Sequence, residues 1–186
     1  MRRLSVFNLV SLDGYFKGPN GDIGWHSVGE EQTDFAVEAA GAGGPLLFGR
    51  VTYELMAGYW PAPLALENDP ILAARMNSAP KVVFSRTLTK AEWNNTRLVK
   101  DNIIEEMRNL KRQPGKDMTI LGSGSIVTQF AEQGLIDEYQ VLVNPVALGD
   151  GTPLFKGMKK RLNLKLLNTR TFRNGNVLLT YEPVKP

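Results

Sequence analysis

The sequence predicts an α/β fold: a mainly parallel mixed sheet with an antiparallel C-terminal hairpin and helices on both faces. Three observations carry this. Short β-forming runs, LSVFNLV (4–10), PLLF (45–48), KVVFS (81–85) and MTIL (118–121), alternate with helix-periodic segments over the first two-thirds of the chain. From Asp137 the alternation stops, and strand-like runs at 139–148, 162–172 and 177–181 follow one another without a helix. Asn174-Gly175 between the last two is a strong hairpin signal. A chain of 186 residues suits one domain spanning 1–186.

Leu4–Val10 begins almost at the terminus and reads as a buried strand. Ser11–Trp25 holds four glycines and one proline and predicts a long irregular loop, the kind that covers or builds a binding site. Glu30–Ala40 predicts a helix, Pro45–Phe48 a strand buried on both faces, and Thr52–Tyr59 a second helix. A proline-punctuated stretch then leads to a helical turn or two over Pro70–Asn77. Lys81–Ser85 and Arg97–Lys100 read as further strands. Asn102–Arg112 is the clearest helix: Ile103, Ile104, Met107 and Leu110 share one face. Asn102 with Glu105 resembles a capping box, and Lys111 and Arg112 suit the C-terminal dipole. Met118–Leu121 then feeds a helix running to about Gln133, with Gly134 as its stop.

Composition excludes several function classes. There are no cysteines, so disulfides and thiolate metal sites are impossible. No apolar run approaches the ~20 residues of a membrane span, nothing reads as a signal peptide, and the cytoplasm is the default expectation. The net charge of +3 is interspersed, which argues against nucleic acid as a partner. The basic cluster Lys156–Arg161 fits a solvated loop. His26 is the single histidine and reads as a surface loop residue beside Trp25. A hydrolase would have to use it, and no G-x-S-x-G elbow exists to present a serine. Any demanding chemistry is therefore expected from a borrowed cofactor.

Three strand ends share small or hydroxylated residues: Gly49-Arg50-Val51-Thr52, Ser85-Arg86-Thr87 and Gly122-Ser123-Gly124-Ser125. Parallel sheets bind ligands outside the carboxyl ends of their strands, where helix N-termini offer N–H groups to phosphates. Three converging ends suit a dinucleotide, with Arg50 and Arg86 available to an extra phosphate. Each motif alone is weak. Gly122-Ser-Gly124 does not complete a Rossmann fingerprint, because Val127 stands at the last glycine.

In combination, PLLFGRVTYE (45–54), KVVFSRTL (81–88), TILGSGSIVTQF (119–130) and IDEYQVLVNPVALGDGTPLF (136–155) resemble the dihydrofolate-reductase fold. The likeness extends to the riboflavin-biosynthesis reductase family and its standalone homologues. SLDGY (11–15) and TFRNGNVLLTYEP (171–183) extend the resemblance over nearly the whole chain. It implies a homodimeric, NADPH-dependent reductase acting on a small pteridine- or pyrimidine-type substrate. Gly49, Arg50, Val51 and Thr52 would face the pyrophosphate, and Ser85 and Arg86 the adenosine 2′-phosphate. Gly122, Ser123, Gly124, Ser125 and Ile126 would cradle the pyrophosphate and nicotinamide ribose, with a cis peptide expected at Gly122-Ser123. Glu31, or else Asp13, would serve as the acidic residue orienting substrate. Tyr15, Trp25 and Phe35 would pack on its ring. The arginine that holds a folate tail is replaced by Ala79-Pro80, and the glutamate of the riboflavin enzymes by Gly122, so neither family substrate is specified. A non-catalytic nucleotide-binding protein on the same fold is the alternative expectation.

Overall fold

A computed structural model describes residues 1–41 and 43–184. The strands are β1 (Leu4–Ser11), β2 (Tyr15–Lys17), β3 (Leu46–Gly49), β4 (Lys81–Phe84), β5 (Thr96–Val99), β6 (Met118–Leu121), β7 (Glu138–Asn144), β8 (Thr152–Pro153), β9 (Leu164–Thr171) and β10 (Val177–Pro183). The helices are α1 (Glu30–Gly41), α2 (Arg50–Tyr59), α3 (Pro63–Asn68), α4 (Pro70–Ser78), α5 (Ile103–Arg112) and α6 (Gly124–Glu132). Eight strands form one sheet in the order β5-β4-β3-β6-β1-β7-β10-β9, while β2 and β8 pair separately. Pairing is parallel from β5 to β7, and β10 and β9 close the edge antiparallel. This is the mixed α/β architecture the sequence predicts.

Two cores follow from the alternation of side chains along strands covered on both faces. On one face Leu4, Val6, Leu47, Val82, Phe84, Met118 and Ile120 meet Met107 and Leu110 of α5 and Ile126, Val127 and Phe130 of α6. Phe130 stacks edge-on against Phe84 at 5.4 Å between ring centroids. Each such fully buried side chain contributes about 1.5–3 kcal/mol. That burial holds a nine-residue helix which would be marginal alone. On the other face Phe48, Tyr53 and Trp93 form an aromatic cluster with Met76 and Val83. Phe35 of α1 packs between Phe7 and Phe172.

The buried position 81 is filled by a lysine. Its Nζ donates to the carbonyls of Asn77 (3.1 Å), Ala79 (2.7 Å) and Asn94 (3.0 Å) and lies 4.3 Å from the Trp93 ring centroid. Burial lowers its pKa to about 8.

Several boundaries differ from the sequence expectations. The 11–25 segment is not wholly irregular: Tyr15–Lys17 pairs with Thr152–Pro153, and a 3-10 turn spans Pro19–Gly21. The proline-punctuated stretch contains a short helix, α3, because Pro63 sits at its first turn, where a missing N–H costs nothing. β7 stops at Asn144 rather than Leu148, since Pro145 cannot donate to a ladder. The capping box at Asn102 does not form. Asn102 is left-handed (φ 51°) and makes no side-chain cap, and Glu105 turns instead to Arg112 and Arg108. Gly134 does end α6, at φ 62°.

Candidate functional site

β6 accompanies β1 only to the pair Phe7↔Leu121, then turns away; β1 continues beside β7 to Ser11↔Asn144. The sheet therefore opens between β1 and β6 at its carboxyl edge. The corner is made by two successive left-handed residues, Gly122 (φ 57°) and Ser123 (φ 61°). No cis peptide occurs among the described residues, so the Gly122-Ser123 bond is trans. The paired positive φ angles turn the chain without one.

Ser123 then locks this corner to the end of β3. Its hydroxyl accepts the Gly49 N–H at 2.9 Å and donates to the Leu121 carbonyl at 2.9 Å. Its own N–H donates to Thr52 Oγ1 at 3.1 Å. Ser123 and Thr52, read from sequence as ligand contacts, are thus committed to each other's turns. The result sets the first turns of α2 and α6 side by side. A Cβ at Gly49 would meet Ser125 Oγ and Ser123 Cβ at 3.7 Å, ordinary contact, so only a longer side chain there would grow into the space between the turns. Both helices present first-turn N–H groups and a partial positive charge to this space.

Beside the cradle runs a groove of about 660 Å³ over the ends of β4 and β5. Ser85, Arg86, Lys100, Arg108, Ser125 and Gln129 line it together with Glu105, whose carboxylate lies 3.6 Å from Arg108 Nη1. Two of the three sequence motifs therefore meet in one cleft. Lys100 and Arg108 were not legible as site residues: one ends a strand and the other lies on the polar face of α5, and only packing places them opposite Ser85-Arg86. Arg50 does not line this groove. Its guanidinium pairs with Glu54 at 2.9 Å. Val51 is solvent-exposed, and Ile126, whose side chain packs in the core, also lines the groove.

The two carboxylate candidates are engaged elsewhere. Asp13 accepts the Ser11 hydroxyl (2.7 Å) and the N–H groups of Leu148 and Gly149 (shortest 2.7 Å), clasping two loops together. These hydrogen bonds, the Ser11 hydroxyl foremost, lower its pKa to about 2. Glu31 is not in an apolar pocket. It accepts the Arg173 N–H at 2.9 Å and pairs with Arg173 Nε at 3.2 Å, tying α1 to the β9–β10 turn.

The aromatic candidates are not brought together. Phe35 is a packing residue under α1, with the Arg170 guanidinium 5.7 Å from its ring centroid. Trp25 donates its Nε1–H to Asp22 O and meets His26 edge-on at 4.4 Å. Tyr15 lies half-buried in the β2–β8 ladder. Phe16, not singled out in the sequence, is the buried residue of that ladder: a Cβ on Gly124 would stand 2.8 Å from its Cζ. His26 is half-buried rather than a surface residue, and desolvation lowers its pKa.

The described residues contain no cluster of three potential metal ligands and no helix long and apolar enough to cross a membrane. A family model described as the RibD C-terminal domain matches residues 2–178. The chain is 37% identical to YyaP of Bacillus subtilis (strain 168) over 182 residues, covering 97% of this chain and 94% of that one. Among solved structures, a protein of Shewanella sp. PV-4 named for riboflavin biosynthesis superposes with a TM-score of 0.74 at 22% identity. That match covers 98% of this chain and 99% of the other. A diaminohydroxyphosphoribosylaminopyrimidine deaminase/5-amino-6-(5-phosphoribosylamino)uracil reductase of Thermotoga maritima superposes with a TM-score of 0.69 at 17% identity, over 98% of this chain and 57% of that one.

Proposed function

The chain belongs to the RibD C-terminal domain family, and on that premise we propose that it is an NADPH-dependent reductase. Its substrate would carry a flat pteridine- or pyrimidine-type ring. The observation that carries the reading is the adjacency of two helix N-termini, α2 and α6, to a groove rimmed by Arg86, Lys100 and Arg108. Phosphates are favoured at such N-termini by free N–H groups and the helix dipoles. The residues suit the cofactor: glycine at 49 keeps side-chain bulk out of the join between the two turns, and Arg86 and Lys100, beside an Arg108 paired with Glu105, suit a further phosphate.

When bound, the cofactor would supply a hydride. The chain's residues would position and desolvate. The first turns of α2 and α6 would hold the diphosphate, while Ser85, Arg86, Lys100 and Arg108 would hold the adenosine end. The Ser123–Thr52–Gly49 clip would keep the two turns at fixed spacing, which is how a rigid scaffold lowers an orientational barrier. The 11–28 segment, anchored through Asp13 at one end and Ser27 at the other, would exclude water. The same reading takes the protein as a cytoplasmic homodimer, which sedimentation at micromolar concentration checks.

The test is a fluorescence titration with NADPH and NADH. Arg86→Ala is expected to weaken NADPH about tenfold, the loss of one charge-assisted contact, and to leave NADH nearly unchanged. Wild-type protein that binds no NADPH at sub-millimolar concentration would end the proposal. A second reading, a nucleotide-binding protein without catalysis, is favoured by one observation: the Asp13 and Glu31 carboxylates are both engaged by main-chain N–H groups. It gains if NADPH binds and no pteridine or pyrimidine in a panel drives its oxidation.

A further inference from the structure

Four buried side-chain atoms find no hydrogen-bond partner among the described residues: Asn8 Nδ2, His26 Nε2, Arg75 Nη1 and Asn176 Oδ1. Three of these lie off the central strands of the sheet. Asn176 already uses its amide nitrogen to hold the Ser27 carbonyl at 2.6 Å. His26 is half-buried in the covering loop, and Arg75 lies in the last turn of α4. Asn8 is different. It is 1% exposed and sits on the central strand β1 between Leu4, Val6 and Val10, all apolar and all on its own face. A buried amide nitrogen without an acceptor is costly, and asparagine is a poor strand former, so neither packing nor propensity accounts for it.

Its place in the fold is specific. Asn8 is the first β1 residue past the last β1–β6 pair, and the Gly122 N–H donates to the neighbouring Phe7 carbonyl at 3.1 Å. It therefore stands where β6 leaves the sheet to become α6. Val6 on the same face packs in the cluster holding Ile126 and Val127 of α6, and Val10 packs under Phe16, which touches Gly124 at the start of that helix. Asn8 lies between those two contacts, beneath the N-terminus of α6. In strand order the basic groove over β4, the turns after β3 and β6, and Asn8 on β1 follow one another. They span three interstrand steps, or about 14 Å.

We propose that the Asn8 side chain reads the amide edge of the flat ring bound at this crevice. This rests on the reductase reading given above. A carboxamide places a carbonyl and N–H donors in one plane, so its natural complement is a second amide edge bound through two parallel hydrogen bonds. Two rings of the proposed reaction present such an edge: the cofactor's nicotinamide carboxamide and the lactam of a pyrimidine or pteridine. Asn8 is a ligand-orienting residue, and its unpartnered Nδ2 is the mark of an acceptor outside the chain.

The test compares wild type with Asn8→Leu, which keeps the branching at Cγ and the number of heavy atoms and removes the amide. Calorimetry would use NADPH and 2′-phospho-ADP-ribose, which lacks the nicotinamide. A drop of about tenfold for NADPH with 2′-phospho-ADP-ribose unchanged supports the proposal and assigns the contact to the cofactor. Unchanged NADPH binding with an about tenfold loss for 5,6-diaminouracil, in protein saturated with NADP⁺, supports it and assigns the contact to the substrate ring. Equal losses for NADPH and 2′-phospho-ADP-ribose would make Asn8 structural and overturn it, as would no change for any probe. The thermal midpoint of Asn8→Leu is expected at or above wild type, because an unpaired buried polar group is replaced by an apolar one. Asn8→Val repeats the comparison with a strand-forming residue if the leucine variant folds poorly. Failure of wild-type protein to bind NADPH is a separate result, which removes the reductase reading itself.

Discussion

Ser123→Ala tests the corner on which the whole site depends. The substitution keeps a Cβ at the same positive φ, so backbone strain is nearly unchanged, and it deletes one hydroxyl. That hydroxyl accepts the buried Gly49 N–H and donates to the Leu121 carbonyl, both at 2.9 Å. An orphaned buried N–H costs about 1–3 kcal/mol, and the second lost bond about 1 kcal/mol. The expected loss is about 3 kcal/mol, which for a chain of this size lowers the thermal midpoint by roughly 6–12 °C. Urea denaturation gives the free energy and scanning calorimetry the midpoint. Thr52→Val removes the acceptor of the Ser123 N–H in the same corner. The double variant should therefore lose less than the sum of the singles, by at least about 0.5 kcal/mol. NADPH affinity should fall as well, since the clip sets the spacing of two helix N-termini. A Ser123→Ala variant within about 0.5 kcal/mol of wild type would refute the reasoning, because the Gly49 N–H would then have another acceptor.

Gly124→Ala places a methyl 2.8–2.9 Å from the Phe16 ring and 3.3 Å from the Leu154 carbonyl. It should destabilise by about 1–3 kcal/mol despite alanine's better helix propensity, and limited proteolysis should find the 15–17 strand loosened; a more stable variant would contradict this. Asp13 has a folded pKa near 2, below its usual 3.8. Its clasp therefore contributes stability above pH 4 that is lost as pH falls toward 2. Asp13→Asn should flatten that part of the acid-denaturation profile, and an unchanged profile would mean the clasp does not hold the loop. Lys81 has a folded pKa near 8 against 10.5 unfolded, so between those values the unfolded chain binds more protons and stability rises with pH. Between pH 7.5 and 9.5 the gain is on the order of 1–2 kcal/mol, and it should be absent in Lys81→Met. An identical pH slope in both proteins would assign the effect to other groups.

The sheet was legible because its strands are buried on both faces. Leu46–Phe48 and Val82–Phe84 are continuous apolar runs for that reason, and Asn174-Gly175 marked the hairpin through turn chemistry that needs no tertiary context. The glycine- and hydroxyl-rich strand ends were also visible, since a strand that turns directly into a helix requires small residues. Which of those residues face the cleft was not visible. Ser123 and Thr52 look like phosphate ligands in sequence, yet they bond across 71 positions to hold two turns together. Glu31 looks like a pocket acid, but 142 positions away the Arg173 backbone claims it.

By itself, then, the sequence determined the order of the eight strands of the main sheet and of every helix but α3, and the chemistry of the strand ends. Periodicity and glycine placement are local properties and survive reading in one dimension. The tertiary structure alone decided the direction of each polar side chain. It placed Lys100 and Arg108 with Ser85 and Arg86 in one groove, withdrew Asp13 and Glu31 into loop contacts, and left Asn8 Nδ2 buried without a partner where β6 leaves β1. A hydrogen bond is short and directional, so whether a polar group serves the fold or a ligand depends on what packing brings within about 3 Å of it.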